Sequence, residues 1–191
     1  MAFVVAFLLG IALLISPGSA LAGPDSPGPG KNLPIRLSEP VTYTIFWNAV
    51  KEPPGGVTVT LKEPVGWEKE VDAMGCPSYK PPKGGFLDGL SVVLNACPPE
   101  SRTSEACLAY WEKQEVSGDK VISRTPLEGG GVKIVLKHRM AGGQNTLSVS
   151  WLRPMSQVRG VLKTTIRLTE GVNNGFLAGL TQIAEGMTVK K

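Results

Sequence analysis

The chain has 191 residues, 42% of them hydrophobic and 19% charged, which is enough apolar side chain for one ordinary core and excludes a wholly disordered polymer. Its 20 Lys and Arg outnumber 16 Asp and Glu, and the net charge of +4 is scattered among Thr, Ser and Glu rather than gathered in blocks. That spread reads as a solvated surface and leaves no basic stripe for nucleic acid.

Residues 2–15 form an unbroken apolar stretch, followed by Pro17-Gly18 and then Ala20-Leu21-Ala22. This order is that of a signal peptide over residues 1–22 with cleavage after Ala22, and it predicts an exported protein, periplasmic or secreted. The apolar stretch is shorter than the roughly 20 residues a transmembrane helix needs, so the mature chain is expected to have no integral span. The segment ahead of the apolar stretch has no Lys or Arg, which keeps an uncleaved anchor as the alternative. No Cys stands near the cut, which argues against a lipid anchor. Residues 23–33, rich in Pro and Gly, read as a disordered tether, and residues 34–191 as one α+β domain.

Strand patterns dominate that domain. Residues 41–50 are β-branched and aromatic, and Pro53-Pro54-Gly55-Gly56 turns the chain. Val57, Val59 and Leu61 alternate with Thr58 and Thr60 as in a half-buried strand. Residues 63–85 have little periodicity. Leu90, Val92 and Leu94 make the next strand, stopped by Pro98-Pro99. Thr103 or Ser104 is suited to cap a helix carrying Cys107, Leu108 and Trp111 on one face, with Gly118 as its stop. A short run at residues 120–123 follows. Three alternating runs come next, at Val132/Ile134/Leu136, Leu147/Val149/Trp151 and Leu162/Thr164/Ile166/Leu168, with glycine turns at 129–131 and 142–143. Asn173 or Asn174 caps a last helix with Phe176, Leu180, Ile183 and Met187 as its apolar stripe. Consecutive hairpins imply a mostly antiparallel sheet on which both helices bury their stripes.

Three cysteines, Cys76, Cys97 and Cys107, permit one disulfide with one thiol left over. Cys97 ends a strand and Cys107 opens the next helix, so this pair is a candidate disulfide. Cys76 is then the spare thiol. Sequence alone leaves the connectivity open.

An early strand pair, Gly66-Trp67, a strand followed by a Ser/Thr-capped helix, a Gly-punctuated antiparallel meander and a closing amphipathic helix recur together elsewhere. Over roughly residues 57–187 this layout resembles the superfamily that groups the photosystem accessory protein PsbP, the bacterial envelope protein DcrB and a nuclear Ran-binding protein. The resemblance implies an α/β/α sandwich around an antiparallel sheet, and a binding or assembly role without a catalytic site. The chain departs from PsbP in lacking a transit peptide and from DcrB in lacking a lipobox Cys, and no binding residue transfers position by position.

Chemistry-bearing motifs are scarce. The single histidine, His138, lies between Lys137 and Arg139, cations that disfavour a bound metal, and no C-x-x-C stands elsewhere, so a solvated strand-end histidine is expected. Ser117-Gly118-Asp119-Lys120 matches S-x-x-K, but at the end of a helix rather than its start. Gly129-Gly130-Gly131 precedes a strand, whereas a phosphate cradle opens a helix. Gly171, Gly175 and Gly179 have the spacing of a membrane dimer motif but sit in a short, partly polar helix. No catalytic residue, metal site or cofactor is therefore assigned.

The expected function is that of a non-catalytic envelope protein, monomeric or weakly oligomeric, that binds another protein. Trp67, Tyr79 and Phe86, in the aperiodic loop-rich stretch, are the candidate partner-binding residues, because an aromatic outside the core phase is suited to anchor a partner. The alternative is a small-molecule or lipid carrier with a cavity between sheet and helix.

Overall fold

The computed structural model describes residues 34–46, 55–82, 88–140, 143–171 and 174–190. The predicted signal peptide and tether, Trp47 and Phe86 lie outside the described residues. Among the described residues, ten strands and two helices run in the order β1 Leu37–Phe46, β2 Gly56–Pro64, β3 Glu68–Val71, β4 Pro77–Lys80, β5 Gly89–Ala96, α1 Ser104–Glu115, β6 Lys120–Pro126, β7 Val132–Arg139, β8 Asn145–Met155, β9 Gly160–Thr169, α2 Leu177–Gly186 and β10 Thr188–Lys190. Every strand pairing is antiparallel, and the class is α+β.

Two sheets form, not one. A seven-stranded sheet has the order β3-β4-β5-β9-β8-β7-β6, and a three-stranded sheet the order β1-β2-β10. The period-2 alternation of β8 and β9 explains the layering, because successive side chains leave opposite faces. Leu152 and Val161 face one way and join Val132, Ile134 and Leu136 in a cluster closed by Cys107, with Leu108 and Trp111 of α1 packed against it. Trp151, Leu162, Ile166 and Leu168 face the other way, into the larger core built with Ile45, Val57, Val59 and Leu61 of the small sheet and Leu180, Ile183 and Ala184 of α2. The layers are thus α1, the large sheet, then the small sheet with α2.

Local chemistry sets the element ends. The Thr103 hydroxyl accepts the Ala106 amide at 3.1 Å and caps α1, as its sequence implies. The final helix begins later than expected. A 3-10 turn covers Asn174–Phe176, Phe176 occupies the cap position, and no side chain caps α2.

The aperiodic stretch contains two strands. Asp72 turns the chain between them by accepting the Met74 and Cys76 amides, each at 2.9 Å, and Gly75 takes φ +81. A Cβ at Gly75 would stand 2.3 Å from the Thr44 carbonyl oxygen, so only glycine lets this turn approach β1, where the Phe46 amide donates to Met74 at 2.8 Å.

Cys97 and Cys107 form a disulfide with Cα atoms 5.2 Å apart, and Cys76 is free and buried. Among the described residues, no helix is long and apolar enough to cross a membrane.

Candidate functional site

Trp67 stands where β2 gives way to β3. Gly66 at φ +83 makes the corner, and the Val65 amide donates to the Arg36 carbonyl at 2.8 Å. The indole is half-buried, edge-on to Phe176 with ring centroids 5.2 Å apart. Two apolar residues near it in the chain are exposed, Val65 at 38% and Val71 at 44%, with the charged Glu68, Lys69 and Glu70 between them. All four residues of β3 are exposed, and β3 is an edge strand of the large sheet.

Tyr79 does not share that surface. It is 2% exposed, on the inward phase of β4, and its ring belongs to the large core. Its hydroxyl lies 3.0 Å from Glu63 Oε1 and 3.2 Å from the Tyr43 hydroxyl, which itself donates to Glu63. Lys69 Nζ completes the group at 3.3 Å from Glu63 and 3.4 Å from the Tyr43 oxygen. Tyr79 is therefore a buried fastening rather than a partner contact. Tyr43 and Glu63 belong to the small sheet, Lys69 and Tyr79 to the large one, so four side chains from four strands tie the two sheets together.

The electrostatics suit that role. Burial pushes the Tyr79 and Tyr43 hydroxyls above the ordinary tyrosine range, and the Glu63 carboxylate adds to it, so both remain donors. Burial also pushes Glu63 upward, but the hydrogen bonds from Tyr43, Tyr79 and Lys69 outweigh it and leave the carboxyl below its ordinary value. A folded-state pKa below the unfolded one contributes stability above the unfolded pKa, and that contribution is lost as pH falls through the folded value. The wild type is thus expected to lose stability more steeply than Glu63→Gln on acidification from about pH 6 to about pH 3. Urea midpoints measured across that range check this, and parallel curves would exclude Glu63 as a source of acid sensitivity.

Other candidate groups are structural. His138 is not solvated: the turn after α1 lays Asp119 over it, with Oδ1 2.6 Å from Nδ1, and Nε2 is buried. Ser117 and Lys120 are exposed in the same turn region. Cys76 is 5% exposed, and burial pushes its thiol up to about 11, so it has no reactive-thiolate character. Glu115 near the end of α1 receives Lys163 at 2.9 Å and the Ser150 hydroxyl, an ion pair that docks the helix on β8 and β9. Among the described residues, no group of three or more His, Cys, Asp or Glu is placed to hold a metal ion. A cleft of about 290 Å³ lies between α2 and the small sheet, lined by Leu37, Leu61 and Ile183.

No family model and no curated protein matches the sequence. Among solved structures, the Ran-binding protein Mog1p of Saccharomyces cerevisiae superposes with a TM-score of 0.51 at 12% identity, over 81% of this chain and 96% of that one. The chain shares the fold of Mog1p. The PsbP of the cyanobacterium Synechocystis aligns at 13% identity over 88% of this chain and 100% of its own, with a TM-score of 0.40. The Ran-binding protein named by the resemblance is therefore a fold neighbour. At such identity the likeness shows architecture and transfers no site residue.

Proposed function

We propose that this chain is a non-catalytic protein-binding module of an exported protein, and that it meets its partner, another envelope protein, at the β2–β3 corner. The observation that carries the reading is the exposed apolar pair Val65 and Val71, on either side of Trp67 in the chain, with Val71 on β3, an edge strand of the large sheet among the described residues. The Mog1p fold supports it, since that protein is a binding protein. Export is supported by the leader-like start of the sequence and by the disulfide, which fits an oxidising compartment. Phe86 remains part of the proposed surface from sequence alone, and Tyr79 is withdrawn from it because it is buried.

Val65→Asp with Val71→Asp tests the surface without touching the core, because both side chains are exposed. The wild type is expected to capture one stoichiometric protein from envelope extract, and the double variant to lose at least about tenfold in affinity, or about 1.4 kcal/mol. Equal capture by both proteins would remove the corner from the interface. Failure of the wild type to capture any protein would remove the binding reading itself.

A further inference from the structure

A second cleft, also of about 290 Å³, lies on the α1 side of the large sheet, over β4, β5 and β9. α1 covers that side over its apolar part, built from Val132, Ile134, Leu136, Leu152 and Val161. Toward β5 and β4 the outward residues turn polar, and the strand register sets them in rows. Ser78 of β4 stands opposite Ser91 of β5, and Ser91 stands opposite Thr165 of β9. In the next row Gly89 stands opposite Arg167. Alternate residues of a strand share a face, so Ser78, Ser91, Thr165 and Arg167 all lie on this one, and all four line the cleft. The intervening residues Tyr79, Leu90 and Ile166 point the other way, into the large core.

The register also brings these groups within the span of one small ligand. Directly opposite residues have Cβ atoms about 4.5–5.5 Å apart, and diagonal ones about 7–8 Å, which a long side chain covers. Ser78 and Ser91 are a direct pair, and Ser91 and Arg167 a diagonal one. Gly89 puts no side chain beside the guanidinium.

Arg167 makes no ion pair or hydrogen bond among the described residues. Its Nε is buried and out of a ligand's reach, but the two terminal nitrogens keep accessible surface. The carboxylates nearby are committed elsewhere. Glu115 holds Lys163 at 2.9 Å and accepts the Ser150 hydroxyl, and it feels the charge of Arg167 without reaching ion-pair distance. Asp88 is 2% exposed, and its Oδ1 accepts the Thr169 amide and hydroxyl, each at 2.7 Å. The cleft lining has Lys80, Lys163 and Arg167 against Asp88, an excess of positive charge. The Ser78 and Ser91 hydroxyls are not buried and have no hydrogen-bond partner among the described residues.

A guanidinium fork donates two parallel bonds to two oxygens of one anion, and a free hydroxyl donates one more. A carboxylate turns both of its oxygens to the fork. A tetrahedral phosphate keeps two further oxygens for the serines, and its second negative charge suits the additional cations.

We infer that this cleft binds a phosphate group, two of its oxygens on the Arg167 fork and the others at Ser78 and Ser91. Inorganic phosphate and a phosphate monoester present the same group. The cleft shares no residue with the proposed partner surface, so either reading can fail without the other.

Calorimetric titration of the full chain tests this, with inorganic phosphate, glycerol phosphate and acetate as probes at equal ionic strength. Phosphate or glycerol phosphate is expected to bind with a Kd below about 1 mM, and acetate at least about tenfold more weakly. Whichever phosphate compound binds more tightly identifies the source, free ion or ester. Arg167→Gln is expected to abolish binding. Ser78→Ala with Ser91→Ala is expected to weaken the phosphate compounds by about tenfold and to leave acetate unchanged. If Arg167→Gln does not fold, the serine pair decides alone, since neither hydroxyl has a protein partner to lose among the described residues. Acetate binding as tightly as either phosphate compound, neither of them binding below about 1 mM, or unchanged affinity in the serine pair would overturn the inference.

Discussion

Replacing Trp151 with alanine is expected to lower the unfolding free energy by about 3–5 kcal/mol. The indole is 0% exposed and heads the largest fully buried side chains. It stands in mid-β8, between Lys133 of β7 and Thr164 of β9, and faces the core that the large sheet shares with the small sheet and α2. Lys133 lays its ammonium 4.9 Å from the ring centroid and reaches Glu185 of α2, so the ring also supports a bridge between β7 and α2. Truncation removes the transfer energy of the ring and leaves a void that surrounding strands, fixed by their ladders, fill only in part. Trp151→Phe is the informative companion. The indole N–H is buried without a hydrogen-bond partner among the described residues, so exchanging it for a hydrocarbon removes an unsatisfied donor while keeping most of the volume. The phenylalanine variant is expected to cost less than half as much as the alanine one. Equal losses in urea denaturation would mean that the nitrogen, not the volume, matters at this position.

Trp151 was legible from the sequence because it sits on a strict alternation with Leu147 and Val149. The same holds for Val57, Val59 and Leu61, and for Val132, Ile134 and Leu136. Where one face of a strand is buried, the period of 2 is imposed on the residues themselves. Strands without a buried face leave no such mark. β3 reads Glu-Lys-Glu-Val and is fully exposed, and β10 is three residues long, so backbone pairing alone defines them. β4 begins at a proline and spans four residues, too few for a pattern. Alternation also says nothing about which strands share a sheet. β1 and β2 look like any hairpin, and only the core they close over shows that they form a second layer.

The side-chain cluster was illegible for a related reason. Tyr43, Glu63 and Tyr79 are separated by 20, 16 and 36 residues, and no local spacing announces that three chain-distant strands bring them together. Tyr79 has the look of an exposed loop aromatic because its four-residue strand carries no pattern, and Trp67 falls out of phase because it occupies the corner between two strands. The shielding of His138 has no local signal either: its partner Asp119 comes from the turn after α1, 19 residues upstream, and screens it from solvent.

Joint replacement of Cys97 and Cys107 by serine is expected to cost about 2–3 kcal/mol and to loosen α1 ahead of the large core. The bridge spans 10 residues and pins the first turn of α1 to the end of β5. One turn later Trp111 Nε1 donates to the Ala96 carbonyl at 2.9 Å, so the same strand end holds the helix twice. Without the bridge the unfolded chain gains the loop freedom that the disulfide removes, and Cys107, at 0% exposure, is exchanged for a buried hydroxyl. The large core on the opposite face contains neither residue and should keep its packing. Amide exchange is therefore expected to quicken first in α1 and β6, while β5, β8 and β9 retain protection. Uniform acceleration across the large sheet would show that the two faces unfold as one unit. The spare thiol provides the internal control. Cys76 is buried and its thiol stands at about 11, so in the native protein it neither alkylates nor attacks the disulfide. Iodoacetamide should label no cysteine in the folded oxidised chain, one after unfolding, and all three after unfolding with reductant. Labelling of Cys76 before unfolding would show that the β4 region opens locally. Labelling of Cys97 or Cys107 in unfolded, unreduced protein would break the assigned pairing.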